Sequence, residues 1–123
     1  MKTKSVAPVL KVADIGKALA YYKDVLGFEE SFRVANYAGV RLGCVELHLA
    51  EQVESPENEY AKPVGGSTVY IFCDAVDHYY SEIQNRGALV MFGPKNWPYG
   101  MRDFRVRDVD GNHISFGSEV PGA

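Results

Sequence analysis

The stretch RVRDVDGNHISFG, Arg105 to Gly117, places Asp108, Asp110, Asn112 and His113 within six consecutive positions. Carboxylate, amide and imidazole are the donors of a cation site, and a histidine beside an aspartate can start an acid–base pair. An EF-hand loop needs glycine at its sixth position and a distant glutamate. Gly111 is fourth from Asp108, and no suitable glutamate follows. The segment therefore reads as a hairpin turn, with Gly111 supplying positive φ and Asp110 bonding back to its own chain. A second candidate set is VELHL, where Glu46 and His48 alternate with apolar neighbours and so share one strand face. A histidine there can titrate near neutrality or donate to a ligand carbonyl. His78 falls off its helix stripe and reads as surface. No Gly-x-Ser-x-Gly elbow or phosphate-binding loop is present. Cys44 and Cys73 lack a visible activating neighbour. The acids of PENE (56–59) read as a solvated loop face.

These side chains need elements to position them. In VADIGKALAYYKDVLGF, Asp14 is a good N-cap; Ile15, Leu19, Tyr22 and Leu26 recur at helical spacing, and Gly27 stops the run. SVAPVLKV before it, and EESFRV, YAGVRL and CVELHLA after it, read as strands. The polar stretch EQVESPENEYAKPVGG reads as a connection. STVYIFCD then restarts the pattern: Val76, Tyr79, Tyr80 and Ile83 mark a helix ended by Gly87, and ALVMFG, MRDFRVRD and HISFG follow as strands. Asp14 to Gly27 and Asp74 to Gly87 have equal spacing, and Asn36-Tyr37 recurs sixty residues on as Asn96-Trp97. The expectation is one α+β domain over 1–123, built of two βαβββ units at approximately 5–50 and 66–118. Paired, they form a curved mixed sheet with helices behind it and a ligand cleft in front.

On that layout Ile114 and Phe116 face the helix, so His113 and Ser115 face the cleft. Tyr37, Tyr70, Phe72, Trp97 and Tyr99 would converge there with Glu46 and His48. Pro98 keeps KNWPYG out of regular structure, so Trp97 sits on a loop, where a large ring is suited to stacking on a flat ligand. Arg33, Arg41, Arg102, Arg105 and Arg107 surround the cleft and favour a neutral or anionic ligand over a cationic one.

With 46% apolar and 24% charged residues and a net charge of −3, the 123-residue chain fits an ordinary globular protein. Nothing in that balance calls for a nucleic-acid or membrane partner. No stretch is long enough to span a bilayer, and MKTKSVAPVL lacks the apolar core of a signal peptide. Two cysteines without a C-x-x-C pair suit free thiols and a cytoplasmic location.

VLKVADIGKALAYYKDVLGFE and RDFRVRDVDGNHISFG resemble the opening and closing signatures of the vicinal-oxygen-chelate superfamily of glyoxalases, extradiol dioxygenases and antibiotic-resistance proteins. VELHLAE and NWPYGMRDF resemble most the bleomycin-resistance branch. The resemblance implies paired βαβββ units and a homodimer sharing its cleft between chains. It also implies four metal-ligand positions, which fall here on Ala7, Glu46, Thr68 and Ser115. One carboxylate among four positions does not hold zinc, nickel or iron. No metal or other cofactor is therefore expected. The resemblance implies non-catalytic binding and sequestration of a small molecule of bleomycin type. The expected ligand-binding residues are Tyr37, Glu46, His48, Tyr70, Phe72, Trp97, Tyr99, His113 and Ser115. The alternative is a metal-dependent glyoxalase- or dioxygenase-type enzyme with atypical ligands supplied partly by His48, Glu46 and His113.

Overall fold

The computed structural model describes residues 1–51 and 64–121. The chain runs β1 (Val9–Val12), α1 (Ile15–Ala20) continued by a π-helical turn (Tyr21–Val25), β2 (Glu29–Val34), β3 (Tyr37–Leu42) and β4 (Val45–Glu51). It continues with β5 (Thr68–Phe72), α2 (Val76–Asn85), β6 (Leu89–Asn96), β7 (Met101–Arg107) and β8 (His113–Glu119). Each half forms a four-stranded mixed sheet, ordered β1-β4-β3-β2 and β5-β8-β7-β6. In each, the first strand lies parallel to the last. A parallel neighbour requires a crossover, and the helix supplies it. The two βαβββ units expected from the repeat are thus present as two four-stranded mixed sheets, with no ladder joining them among the described residues.

Alternation decides the faces. Leu10, Val12, Val40, Leu47 and Leu49 are buried behind the first sheet, and Ile71, Phe104, Val106, Ile114 and Phe116 behind the second. Ile15, Ala18, Leu19, Tyr22 and Leu26 pack into the same core, as their helical spacing requires. Asp14 caps α1 by accepting from Lys17 N at 2.9 Å. The π turn was not legible in that spacing. It closes where Leu26 N–H reaches back to Tyr21 O at 3.1 Å. In it, both Tyr21 and Tyr22 are buried. Under α2 the rings of Tyr79, Phe104 and Phe116 pack at 4.9 to 6.2 Å.

Several expectations change. The first strand is shorter than SVAPVLKV, beginning at Val9. ALVMFG extends through Pro94 to Asn96, because β6 is an edge strand with two register irregularities and can spare an N–H. Residues 52–63, which include the PENE cluster, lie outside the described residues. In the 108–112 turn, Gly111 has φ 88°, as a tight turn needs. The chain-bonding carboxylate, however, is Asp108, which accepts from Asp110 N and Asn112 N at 2.9 Å each. Asp110 reaches away and accepts from Ala13 N at 3.1 Å.

Candidate functional site

Among the described residues, no element packs over the other face of each sheet, and chemistry-bearing side chains line both faces. On the first sheet, β3 and β4 pair so that Gly39 lies opposite His48 and Arg41 opposite Glu46. The Tyr37 hydroxyl lies 2.8 Å from His48 Nδ1, and His48 Nε2 lies 3.2 Å from Glu46. Phe32 stacks against Tyr37 at 6.0 Å and meets the imidazole edge-on at 5.2 Å. Hydrogen bonds from Ser31 and His48 hold the Glu46 carboxyl below its usual value. Arg41 approaches the same carboxylate at 3.4 Å. The histidine therefore has both ring nitrogens engaged.

On the second sheet the register sets two rows across four strands. One row is Tyr70, Ser115, Arg105 and Phe92, and the next is Phe72, Gly117, Asp103 and Lys95. Asp103 is only 2% exposed. One of its oxygens accepts from Trp97 Nε1 at 2.6 Å, and the other accepts from the hydroxyls of Tyr70 at 2.9 Å and Tyr99 at 3.2 Å. A buried carboxylate is costly unless donors surround it, and here three aromatic donors do. The effect is to fix the rings. Trp97 and Tyr99 lie parallel within 8° at 6.0 Å. Phe92 meets Trp97 edge-on at 5.8 Å, and Tyr70 and Phe72 lie 5.0 Å apart. Gly117 makes this possible, since a Cβ there would collide with the Tyr70 hydroxyl. Burial, then the Asp103 carboxylate, raises the Tyr70 phenol well above its ordinary value, so it stays a donor.

The expected residues thus form two sets. Tyr37, Glu46 and His48 share the first sheet, and Tyr70, Phe72, Trp97, Tyr99, His113 and Ser115 the second. Among the described residues, the hydrogen bonds and ring contacts of these sets run within each sheet and not between them. Trp97 does begin a turn, closed by Gly100 N to Trp97 O. His113 stands opposite Thr68 and Arg107. Ser115 is buried and accepts from Arg105 Nε at 2.9 Å.

Two of the five arginines leave the cleft. Arg102 shares the helix side with Phe104 and pairs with Asp77 at 2.7 Å, while Arg33 lies along α1 beside Leu19. Asp103, Phe32 and Phe92 were missed. The signal for Asp103 was present: Phe104 and Val106 point inward, so Asp103 and Arg105 point outward beside Trp97.

The donor set does not fit a divalent ion. Ala7 has no ligating atom, Ser115 already accepts from a guanidinium, and His48 shares its nitrogens with Tyr37 and Glu46. Among the described residues no three of His, Cys, Asp and Glu gather at metal-binding spacing.

The sequence profile of the Glyoxalase/Bleomycin resistance protein/Dioxygenase superfamily matches residues 5–116. A bleomycin resistance protein of Geobacillus stearothermophilus is 30% identical, covering 92% of this chain and 95% of that one. Virulence protein STM3117 of Salmonella typhimurium is 28% identical over 91% of this chain and 81% of its own length. Among solved structures, the bleomycin-binding protein from Streptomyces verticillus, complexed with copper(II)-bleomycin, superposes with a TM-score of 0.76. It is 25% identical, covering 94% of this chain and 96% of its own. The chain belongs to the Glyoxalase/Bleomycin resistance protein/Dioxygenase superfamily.

Proposed function

We propose that this protein binds and sequesters a planar aromatic small molecule of the bleomycin-resistance type without transforming it. The observation that carries the reading is the set of aromatic rings fixed by Asp103 on the open face of the second sheet. Rings locked by hydrogen bonds stack on a ligand at little further entropic cost. The bleomycin-binding relatives support the ligand class. Among the described residues the superfamily's ligand positions hold no suitable metal donor set, which favours binding over metal-assisted chemistry.

The working form is a cytoplasmic homodimer. Phe72 at 75% and Tyr99 at 65% exposure leave apolar area on an open face, which a second copy of the chain would close against its own first sheet. Tyr37, Glu46 and His48 then line the opposite wall from Trp97. Light scattering at micromolar concentration should return twice the chain mass, and a monomer there would remove the shared cleft.

Trp97 is the sole tryptophan, so its fluorescence reports one place. A bleomycin or another planar ligand should quench it saturably. Trp97→Ala should weaken binding by about 2 kcal/mol, roughly thirty-fold, by removing stacking and apolar contact together. Binding is read by calorimetry, since the variant has no tryptophan signal. The denaturation midpoint should also fall, because Asp103 loses its Trp97 donor, but the chain should remain folded with the Tyr70 and Tyr99 donors still in place. Unfolding of the variant, or unchanged affinity, would overturn the site.

A further inference from the structure

The charge on the second sheet's open face is unevenly committed. Asp103 is saturated by three donors and buried, so it presents no acceptor to a ligand. Arg105 is half-buried, and its side chain bonds only through Nε, to Ser115, leaving both terminal nitrogens without a partner among the described residues. Its guanidinium carbon lies 5.7 Å from the Phe92 ring centre. Lys95 Nζ lies 4.0 Å from the centre of the Trp97 ring and has no ion-pair partner among the described residues. Arg41 has Glu46 and Arg102 has Asp77 as carboxylate partners, and Arg107, the next residue on the same face, gives a terminal nitrogen to Asp108 O. A half-buried cation without an anion beside fixed aromatic faces is costly by itself and is stabilised when an anion arrives.

Resting on the aromatic-site reading above, we infer that the ligand is a planar aromatic carrying an anionic group, its ring held by Trp97, Tyr99 and Phe72 and its anion by Arg105 and Lys95. The spacing suits one molecule. Arg105 stands one row from Asp103 and Phe72, and adjacent rows on a strand face lie about 7 Å apart. A two-ring arene with a carboxylate on its edge, together with the hydrogen bond from that carboxylate to a guanidinium, spans a distance of that order. A guanidinium takes a carboxylate, sulfonate or phosphate oxygen pair through two parallel N–H bonds, and Arg105 Nη1 and Nη2 are available for this. Arg105 and Lys95 thus set specificity, and Asp103 positions the rings without touching the ligand.

Three probes with one ring system test this: 2-naphthoate, 2-naphthamide and 2-naphthylmethylammonium, titrated calorimetrically into the full-length protein. The naphthoate should bind about ten-fold tighter than the amide, and the ammonium weakest. Raising salt from about 0.02 to about 0.3 M should erode the naphthoate's advantage and leave the amide unchanged. Arg105→Gln should remove most of the naphthoate's advantage while the amide itself holds. Lys95→Gln, at an exposed position, should remove part of the same advantage. Equal binding of naphthoate and amide, or tightest binding of the ammonium, would overturn the anionic class while the aromatic site stands. Binding of none of the three would overturn the aromatic site and this inference with it.

Discussion

The two βαβββ units end their hairpins differently. In the first, Leu42 pairs with Val45, so Gly43 and Cys44 alone make the turn between β3 and β4. In the second, Arg107 pairs with His113 and five residues, 108 to 112, make the corresponding turn. The longer turn crosses to the other unit. Asp108 accepts from the Tyr22 hydroxyl at 2.9 Å, Asp110 from Ala13 N, and Asn112 donates to Lys11 O at 3.0 Å. Tyr21 adds a bond of 2.7 Å to Arg107 O. The short turn does not fill the matching space. A groove of about 460 Å³ remains between it and the start of α2, lined by Leu42, Cys44, Val45, Phe72, Cys73 and Tyr79 among others. The same unit used twice thus gives two similar ends, and three additional turn residues convert one of them into a latch. The segment that looked most like a metal or catalytic site serves that latch. Three of its four carboxylate oxygens accept hydrogen bonds from the chain itself.

Breaking the latch should have the largest effect. Asp108 is 1% exposed and accepts from the Tyr22 hydroxyl, two backbone N–H groups and Asn112 Nδ2. Asp108→Ala strands those donors at once, and the expected loss is about 3 kcal/mol or more in urea unfolding. At the short turn, Cys44 is exposed, so Cys44→Ser should change stability by less than about 0.5 kcal/mol. Comparable losses from both substitutions would mean that the two turns are not functionally distinct.

The contrast also shows what the sequence could reveal. Helix stripes, strand alternation and the Asp-Gly turn are local patterns, and the elements they indicate are present. Alternation likewise placed Glu46 and His48 on one face, because a two-residue period leaves no other choice. The partners of Asp108 and Asp110 could not be read this way, since Tyr22 and Ala13 lie 86 and 97 residues away. The π turn that carries Tyr22 has no composition of its own. Equal spacing also concealed an asymmetry: Asp14 caps α1, but Ala75, at φ 47° and with no side-chain cap, precedes α2. Arg33 and Arg102 are expected around the cleft, whereas strand parity turns both toward the helices.

A small effect of the opposite sign to Asp108→Ala comes from the second carboxylate of the latch, and its size depends on pH. Burial, with the nearby charges of Asp108 and Asp14, lifts the Asp110 carboxyl above its ordinary value, against a lowering by the Ala13 N–H bond. Its Oδ2 is buried without a hydrogen-bond partner among the described residues. A carboxyl whose folded-state pKa lies above its unfolded value favours the folded state when protonated. Its favourable contribution is complete below the unfolded value of 3.8 and is lost as pH rises through the raised folded value. At neutral pH the ionised group is therefore a mild burden on the latch. Asp110→Asn keeps an oxygen for Ala13 N–H and removes the repulsion from Asp108. The variant should be more stable than the parent at pH 7, by less than about 1 kcal/mol because the group is partly solvated. The difference should shrink steadily on acidification toward pH 3, where both chains carry a neutral group at 110. Urea midpoints for the two proteins across that range give the comparison. A difference independent of pH would show that ionisation of Asp110 carries no penalty, and the latch would then depend on its hydrogen bonds alone.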